Sequence, residues 1–161
     1  MSNMNKKHLP LFGVGPIYVF TVVFVTVIFI LLTRNGIFTD YFYGNIVFII
    51  FGLFLIVVGL YLHIASVLFS RVHSKIKKNE LVVTGVYSYV RNPIYSSALF
   101  ICSGIIFVNG NVCLFVLPIL YWLFMTILMR NTEEKWLHKL YGKKYELYCK
   151  EVNRCIPWFK F

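Results

Sequence analysis

Acidic side chains are scarce in this chain. Only 6 Asp and Glu residues stand against 16 Lys and Arg, for a formal net charge of +10. Metal-binding and redox spacings are missing too. The cysteines, Cys102, Cys113, Cys149 and Cys155, form neither a CxxC pair nor a Cys/His ligand pattern. Two lie inside apolar runs and two near the C-terminal end, which fits buried or reduced thiols. A secretory leader of the usual kind is also absent. The first apolar run is too long for one and lacks a small-residue cleavage site, so it reads as a retained span. No internal repeat or low-complexity segment interrupts the chain.

Hydrophobic residues, by contrast, make up 59% of the chain. Soluble domains hold roughly 45–50%. The apolar residues are gathered into four runs, from about Leu11 to Leu32, Ile46 to Phe69, Pro93 to Val108 and Val112 to Met129. A helix needs about 20 residues to cross roughly 30 Å of hydrocarbon. Backbone groups in lipid must be bonded internally, so all four runs are predicted helices despite their β-branched content. The expectation is an all-α, multi-pass membrane protein with one domain over residues 1–161. Only Asn109-Gly110-Asn111 joins the last two spans, and so short a link predicts an antiparallel helical hairpin.

The basic excess follows this pattern and does not point to nucleic acid. Lys6 and Lys7 precede the first span, and Arg34 in the first loop is offset by Asp40. The second loop carries Arg71, Lys75, Lys77, Lys78 and Arg91, the Asn-Gly-Asn turn carries none, and eight follow from Arg130 onward. Such alternation places both termini and the second loop on the cytoplasmic side, where cations also contact anionic lipid. In the last thirty residues, Trp136, Leu137, Leu140, Tyr141, Tyr145 and Tyr148 recur at helical spacing among lysines. That pattern predicts an amphipathic cytoplasmic helix, on the membrane surface or over a site, with a turn admissible at Gly142.

Two polar clusters interrupt the apolar pattern. One is Thr84-Gly85-Val86-Tyr87-Ser88-Tyr89-Val90-Arg91-Asn92-Pro93-Ile94-Tyr95; the other is Arg130-Asn131-Thr132-Glu133-Glu134. Ionisable groups at a bilayer surface are costly unless they bind something. Pro93 suits a first helical turn, where its missing N–H costs little. The hairpin brings Glu133 and Glu134 beside Pro93. Glutamate suits an ammonium group, and aromatic rings suit a flat base or a cationic centre such as a sulfonium. Each tyrosine alone reads as an interfacial belt residue. Arg91 alone reads as a lipid-phosphate contact. His63, in the second span, is a further isolated candidate, against the plain alternative of an interhelical hydrogen bond.

The segment from Leu81 to Tyr95 resembles the signature of the isoprenylcysteine carboxyl methyltransferase family, roughly L-V-x-x-G-x-Y-x-x-x-R-H-P-x-Y. Glu133-Glu134, Leu137, Tyr141-Gly142, Tyr145, Tyr148 and Arg154-Cys155-Ile156-Pro157 are similar to that family's ending. The likeness covers roughly residues 79 to 158, in order and spacing. It implies S-adenosylmethionine as cofactor and a lipophilic methyl acceptor entering from the bilayer; the missing ligand spacings predict no metal. By position, Leu81, Val82 and Tyr87 would line the cofactor pocket, with Asn79 and Glu80 just upstream. Asn92, Pro93, Ile94 and Tyr95 would contact the cofactor at the mouth of the third span. Glu133 or Glu134 would hold its polar end, and Arg130 would face the acceptor.

The chain departs from the signature at Asn92, where the family has histidine. Asparagine donates and accepts hydrogen bonds but carries no proton charge. Methyl transfer from a sulfonium to a carboxylate or thiolate needs mainly alignment and desolvation. An amine or thiol must also lose a proton. The resemblance implies a prenylcysteine carboxylate as acceptor, with a phospholipid amine or a small thiol as alternatives. The wider superfamily, with phospholipid methyltransferases and membrane sterol reductases, adds a nicotinamide-dependent reductase as an alternative. A non-catalytic lipid-binding protein of the same fold is the other.

Overall fold

The computed structural model describes residues 13–37, 45–69 and 80–157. Among them the regular structure is helical, apart from a single parallel backbone bridge between Val90 and Asn153. Helix α1 spans Gly15–Arg34 and α2 spans Ile46–Ile64, the latter extended by a π-helical turn, Ala65–Phe69. Helix α3 spans Pro93–Asn109 and α4 spans Leu117–Asn131. Two polar helices follow, α5 at Glu133–Tyr141 and α6 at Lys143–Glu151.

Three stretches, Gly15–Arg34, Ile46–Val67 and the one beginning at Val112, are long and apolar enough to cross a membrane, and α3 is a shorter apolar helix of 17 residues. Their outer faces are apolar: Phe20, Phe24, Phe54, Val57 and Ile119 are all more than half exposed. In a bilayer those faces meet lipid.

The expected helices stand with two adjustments. The fourth run opens as a 3-10 turn, Val112–Val116, because Pro118 lies in the first turn of α4 and lacks an N–H to continue a helix from further upstream. Asn111 seeds that turn by accepting the Cys113 N–H at 3.1 Å, so the hairpin carries its own cap. The predicted C-terminal helix is divided in two. Gly142 takes φ 53° and ψ −129°, a conformation that ends α5 and starts α6 and that L side chains rarely adopt. The start of the first run, Leu11 and Phe12, lies outside the described residues, as do the lysine-bearing parts of the second loop.

Small residues bring α2 and α3 into close contact. A methyl group on Gly52 would stand 2.6 Å from the Gly104 carbonyl oxygen, and one on Gly59 would stand 2.9 Å from the Ser97 carbonyl. Lipid tails are as apolar as leucine, so such close backbone packing supplies the attraction that burial supplies in water. Leu55 and Leu62 continue the buried stripe between and beyond these glycines. Helix α1 joins through Tyr18 and Val22, packed with Tyr95, Leu99, Tyr121 and Met125. Thr26 Oγ1 lies 2.8 Å from the Tyr121 hydroxyl, a polar tie within this apolar core. The third packing unit is outside the bundle. Tyr145, Tyr148 and Val152 of the C-terminal segment cover Leu81 and Val83.

Candidate functional site

The first polar cluster is a turn that rests on helix ends. Gly85 opens a 3-10 turn, Gly85–Ser88, with φ +66°, which places Val86 inward. Val86 and Val90 pack on Leu62 and Ala65 at the end of α2, with Tyr87 and Phe100 against them. Pro93 then starts α3. The chain before a proline favours extended backbone, and Asn92 has φ −126° and ψ 64°.

Glu133 and Glu134, adjacent in sequence, serve two separate groups. The Glu133 carboxylate accepts the Tyr95 hydroxyl proton and, at 3.0 Å, the Val14 N–H where α1 begins. Gly13 and Gly15 leave space for this meeting: a methyl on Gly15 would lie 3.1 Å from the Tyr95 hydroxyl. Tyr87 is close enough that the Glu133 charge adds to the effect of burial, and together they push the Tyr87 phenol above its ordinary pKa. Tyr87, Tyr95 and Glu133 therefore form one group, in which the Tyr87 phenol stays neutral.

Glu134 binds two arginines. Arg154 donates from Nε at 2.6 Å and from a terminal nitrogen at 2.9 Å, a two-pronged grip. Arg91 adds a contact at 3.3 Å, with side-chain exposures of only 9% for Arg91 and 13% for Glu134. The hydrogen bonds from Arg154 to Glu134 raise its pKa, against the opposing effect of desolvation. Arg91 also donates to Cys149 Sγ, while its Nε is buried with no hydrogen-bond partner among the described residues.

The C-terminal segment clamps this arrangement. The Arg91 N–H donates to the Asn153 carbonyl at 2.8 Å, Asn92 Nδ2 to the Arg154 carbonyl at 3.2 Å, and Ser96 Oγ to the Cys155 carbonyl at 2.6 Å. The Tyr148 hydroxyl donates to the Tyr87 carbonyl at 2.6 Å. Burial pushes the Tyr148 phenol above its ordinary range, so it remains a donor.

The structure thus brings Tyr87, Asn92, Pro93, Tyr95, Glu133 and Glu134 to one place, as the two-cluster reading expects. Ile94 lies half-buried beside them and Val82 is buried. Leu81 is packed under Tyr145 and Tyr148, while Glu80 is exposed at its edge. Asn79 lies outside the described residues. Arg130 is exposed on the last turn of α4 and has no place in either carboxylate group. Arg91 is the main revision: it is paired inside the fold, not spread toward lipid phosphate. Arg91 and Arg154 as the two partners of Glu134 escaped sequence reasoning because their separation in sequence hides their contact. The arginine of the terminal Arg-Cys-Ile-Pro stretch was the available signal.

The family model described as phospholipid methyltransferase matches residues 47–144, from the start of α2 into α6. The chain is 36% identical over 88 residues to protein-S-isoprenylcysteine O-methyltransferase of Schizosaccharomyces pombe, covering 53% of this chain and 37% of that relative. The chain therefore spans little more than a third of that relative's length. No solved structure matches the chain. The matched region carries both packed glycine helices, the Gly85–Tyr95 segment and the Glu133-Glu134 pair, and on that match the chain belongs to the phospholipid methyltransferase family.

Proposed function

We propose that this protein transfers a methyl group from S-adenosylmethionine to a lipid-like acceptor at the membrane interface. The observation that carries the reading is the meeting of Tyr87, Tyr95 and Glu133, next in sequence to the Glu134 that holds Arg91, whose buried Nε lacks a partner among the described residues. The residues fit the cofactor. Its ammonium group suits Glu133, its carboxylate suits the free donor of Arg91, and its flat base and sulfonium suit tyrosine faces. Glu134 is already committed to Arg91 and Arg154, so Glu133 takes the polar-end role.

When bound, S-adenosylmethionine supplies an electrophilic methyl group. The chain's part is to orient and to exclude water. In this reading Pro93, Ile94 and Tyr95, at the start of α3, serve as one wall, with Leu81, packed under Tyr145 and Tyr148, and the buried Val82 on the other side. Asn92 holds the wall in place through its bond to the Arg154 carbonyl. Arg130, exposed at the end of α4, suits an anionic part of the acceptor at the bilayer surface. A prenylcysteine carboxylate is the acceptor suggested by the fission-yeast likeness, and a phospholipid is the one suggested by the family's description. Both termini and the site are assigned to the cytoplasmic side on the charge pattern.

The test is a titration of purified protein in detergent with S-adenosylhomocysteine and, separately, with a reduced nicotinamide. Saturable binding of the first and none of the second is expected. Tyr87→Ala should weaken that binding, because Tyr87 shares the Glu133 group. No detectable binding of S-adenosylhomocysteine would refute the reading.

A further inference from the structure

His63 stands outside both carboxylate groups, on a face of α2 otherwise given over to lipid. Its neighbours Leu60, Tyr61 and Ile64 are 47%, 64% and 50% exposed, and His63 itself is exposed. An ionisable side chain on such a face is costly, and in membrane proteins it marks a functional position by default.

Its hydrogen bonds fix which nitrogen carries the proton. His63 Nδ1 lies 3.3 Å from Ser97 Oγ. Ser97 Oγ in turn donates its only proton to the Ile94 carbonyl at 2.6 Å. A hydroxyl has one proton to give, so at this contact Ser97 accepts and Nδ1–H donates. The neutral ring is therefore the Nδ1–H tautomer, and Nε2 keeps a free lone pair. No described residue is bonded to Nε2, and His63 is exposed.

Its position suits an incoming lipid. Leu62 of α2 and Ala65 of the π-helical turn, on either side of it, pack against Val86 and Val90, with Tyr87 on that cluster. Ser97 and Ile94 belong to the first turns of α3, next to Tyr95. His63 is thus tied through Ser97 to Ile94 at the start of α3 and neighbours the residues that pack with Tyr87.

We propose that His63 Nε2 is the proton acceptor for a lipid-borne acceptor whose headgroup is a protonated amine; the proposal rests on the methyltransferase reading above. The ammonium N–H proton passes to Nε2, giving an imidazolium held by Ser97. The nitrogen lone pair so freed forms the bond to the methyl carbon of the sulfonium donor as the carbon–sulfur bond breaks and its electron pair stays on sulfur. The imidazolium then returns its proton to interfacial water. Ser97 is a positioning residue in this scheme.

The test has a spectroscopic arm and a kinetic arm. Nitrogen-15 shifts of histidine-labelled protein, assigned by loss in His63→Asn, should show the Nδ1–H form, and Ser97→Ala should mix the two tautomers. A proton found on Nε2 in the wild-type neutral ring overturns the proposal. In the kinetic arm, detergent micelles carry an ethanolamine-headgroup phospholipid. Asparagine can still donate to Ser97 but offers no basic nitrogen. His63→Asn is therefore expected to bind S-adenosylhomocysteine within about twofold of wild type while kcat falls about 100-fold or more. A kcat within about threefold of wild type would leave His63 as a structural tie only and overturn the proposal. Wild type that binds S-adenosylhomocysteine without methylating the amine overturns this proposal alone. Wild type that does not bind it overturns the methyltransferase reading as well.

Discussion

At Glu134 both carboxylate oxygens are committed to guanidinium donors, and at Glu133 one oxygen is held by a phenol and a helix-start amide. Substitution should separate the two roles. Glu134→Ala leaves Arg91 and Arg154 as unpaired, largely buried cations, which typically costs about 3–5 kcal/mol. A large fall in the detergent melting temperature is expected, and an unchanged melt would show that the ion cluster contributes little. Glu133→Gln keeps an oxygen for Tyr95 and Val14 but loses the charge. It should melt near wild type and bind S-adenosylhomocysteine about 10-fold or more weakly, the scale of one lost charged hydrogen bond. Asn92 is informative at the same scale. Its amide braces α3 to the Arg154 carbonyl, a job that needs a donor and no charge. That job accounts for how the chain tolerates asparagine where the resembling family has histidine.

Among elements, the contact that positions the site is α2 against α3. Gly104 would put a methyl 2.5 Å from the Gly52 carbonyl oxygen, so no larger residue fits without separating the helices. Gly104→Ala is expected to cost about 1–3 kcal/mol by overpacking, read as a lower melting temperature. A neutral result would mean that the helices close less tightly. The apolar runs showed where these helices lie, since length and composition alone decide what can cross a bilayer. Their ends were less legible. The 3-10 start before α4 depends on Pro118 and the Asn111 cap, and the division at Gly142 depends on a backbone conformation that only the packed chain enforces.

At the scale of the whole molecule, the last described residues act as a strap. Asn153, Arg154 and Cys155 meet Arg91, Glu134 and Ser96, which belong to three separate stretches. A chain ended after Glu151 should keep its helical circular dichroism but lose S-adenosylhomocysteine affinity by at least about 10-fold, since several bonds of about 1 kcal/mol each vanish together. Retained affinity would show that the strap is dispensable. The proposed orientation has its own check. Cys113 is exposed at the α3–α4 turn. A membrane-impermeant maleimide should label it from the face opposite the cytoplasm, and labelling only after the membrane is opened would reverse the orientation.

The sequence by itself determined the helical class, the places of the apolar runs, the hairpin and the pair of polar clusters at one end of it. Each follows from local rules: hydrocarbon thickness, the need to satisfy the backbone within each segment, and the brevity of Asn109-Gly110-Asn111. Tertiary structure alone decided how the charges are shared. Glu133 and Glu134 have almost the same sequence environment, yet one faces Tyr95 and the start of α1 and the other faces Arg91 and Arg154. Pairing at that range depends on which segments pack together, and no local rule carries it. The same holds for His63, whose tautomer is fixed by Ser97 from a different helix.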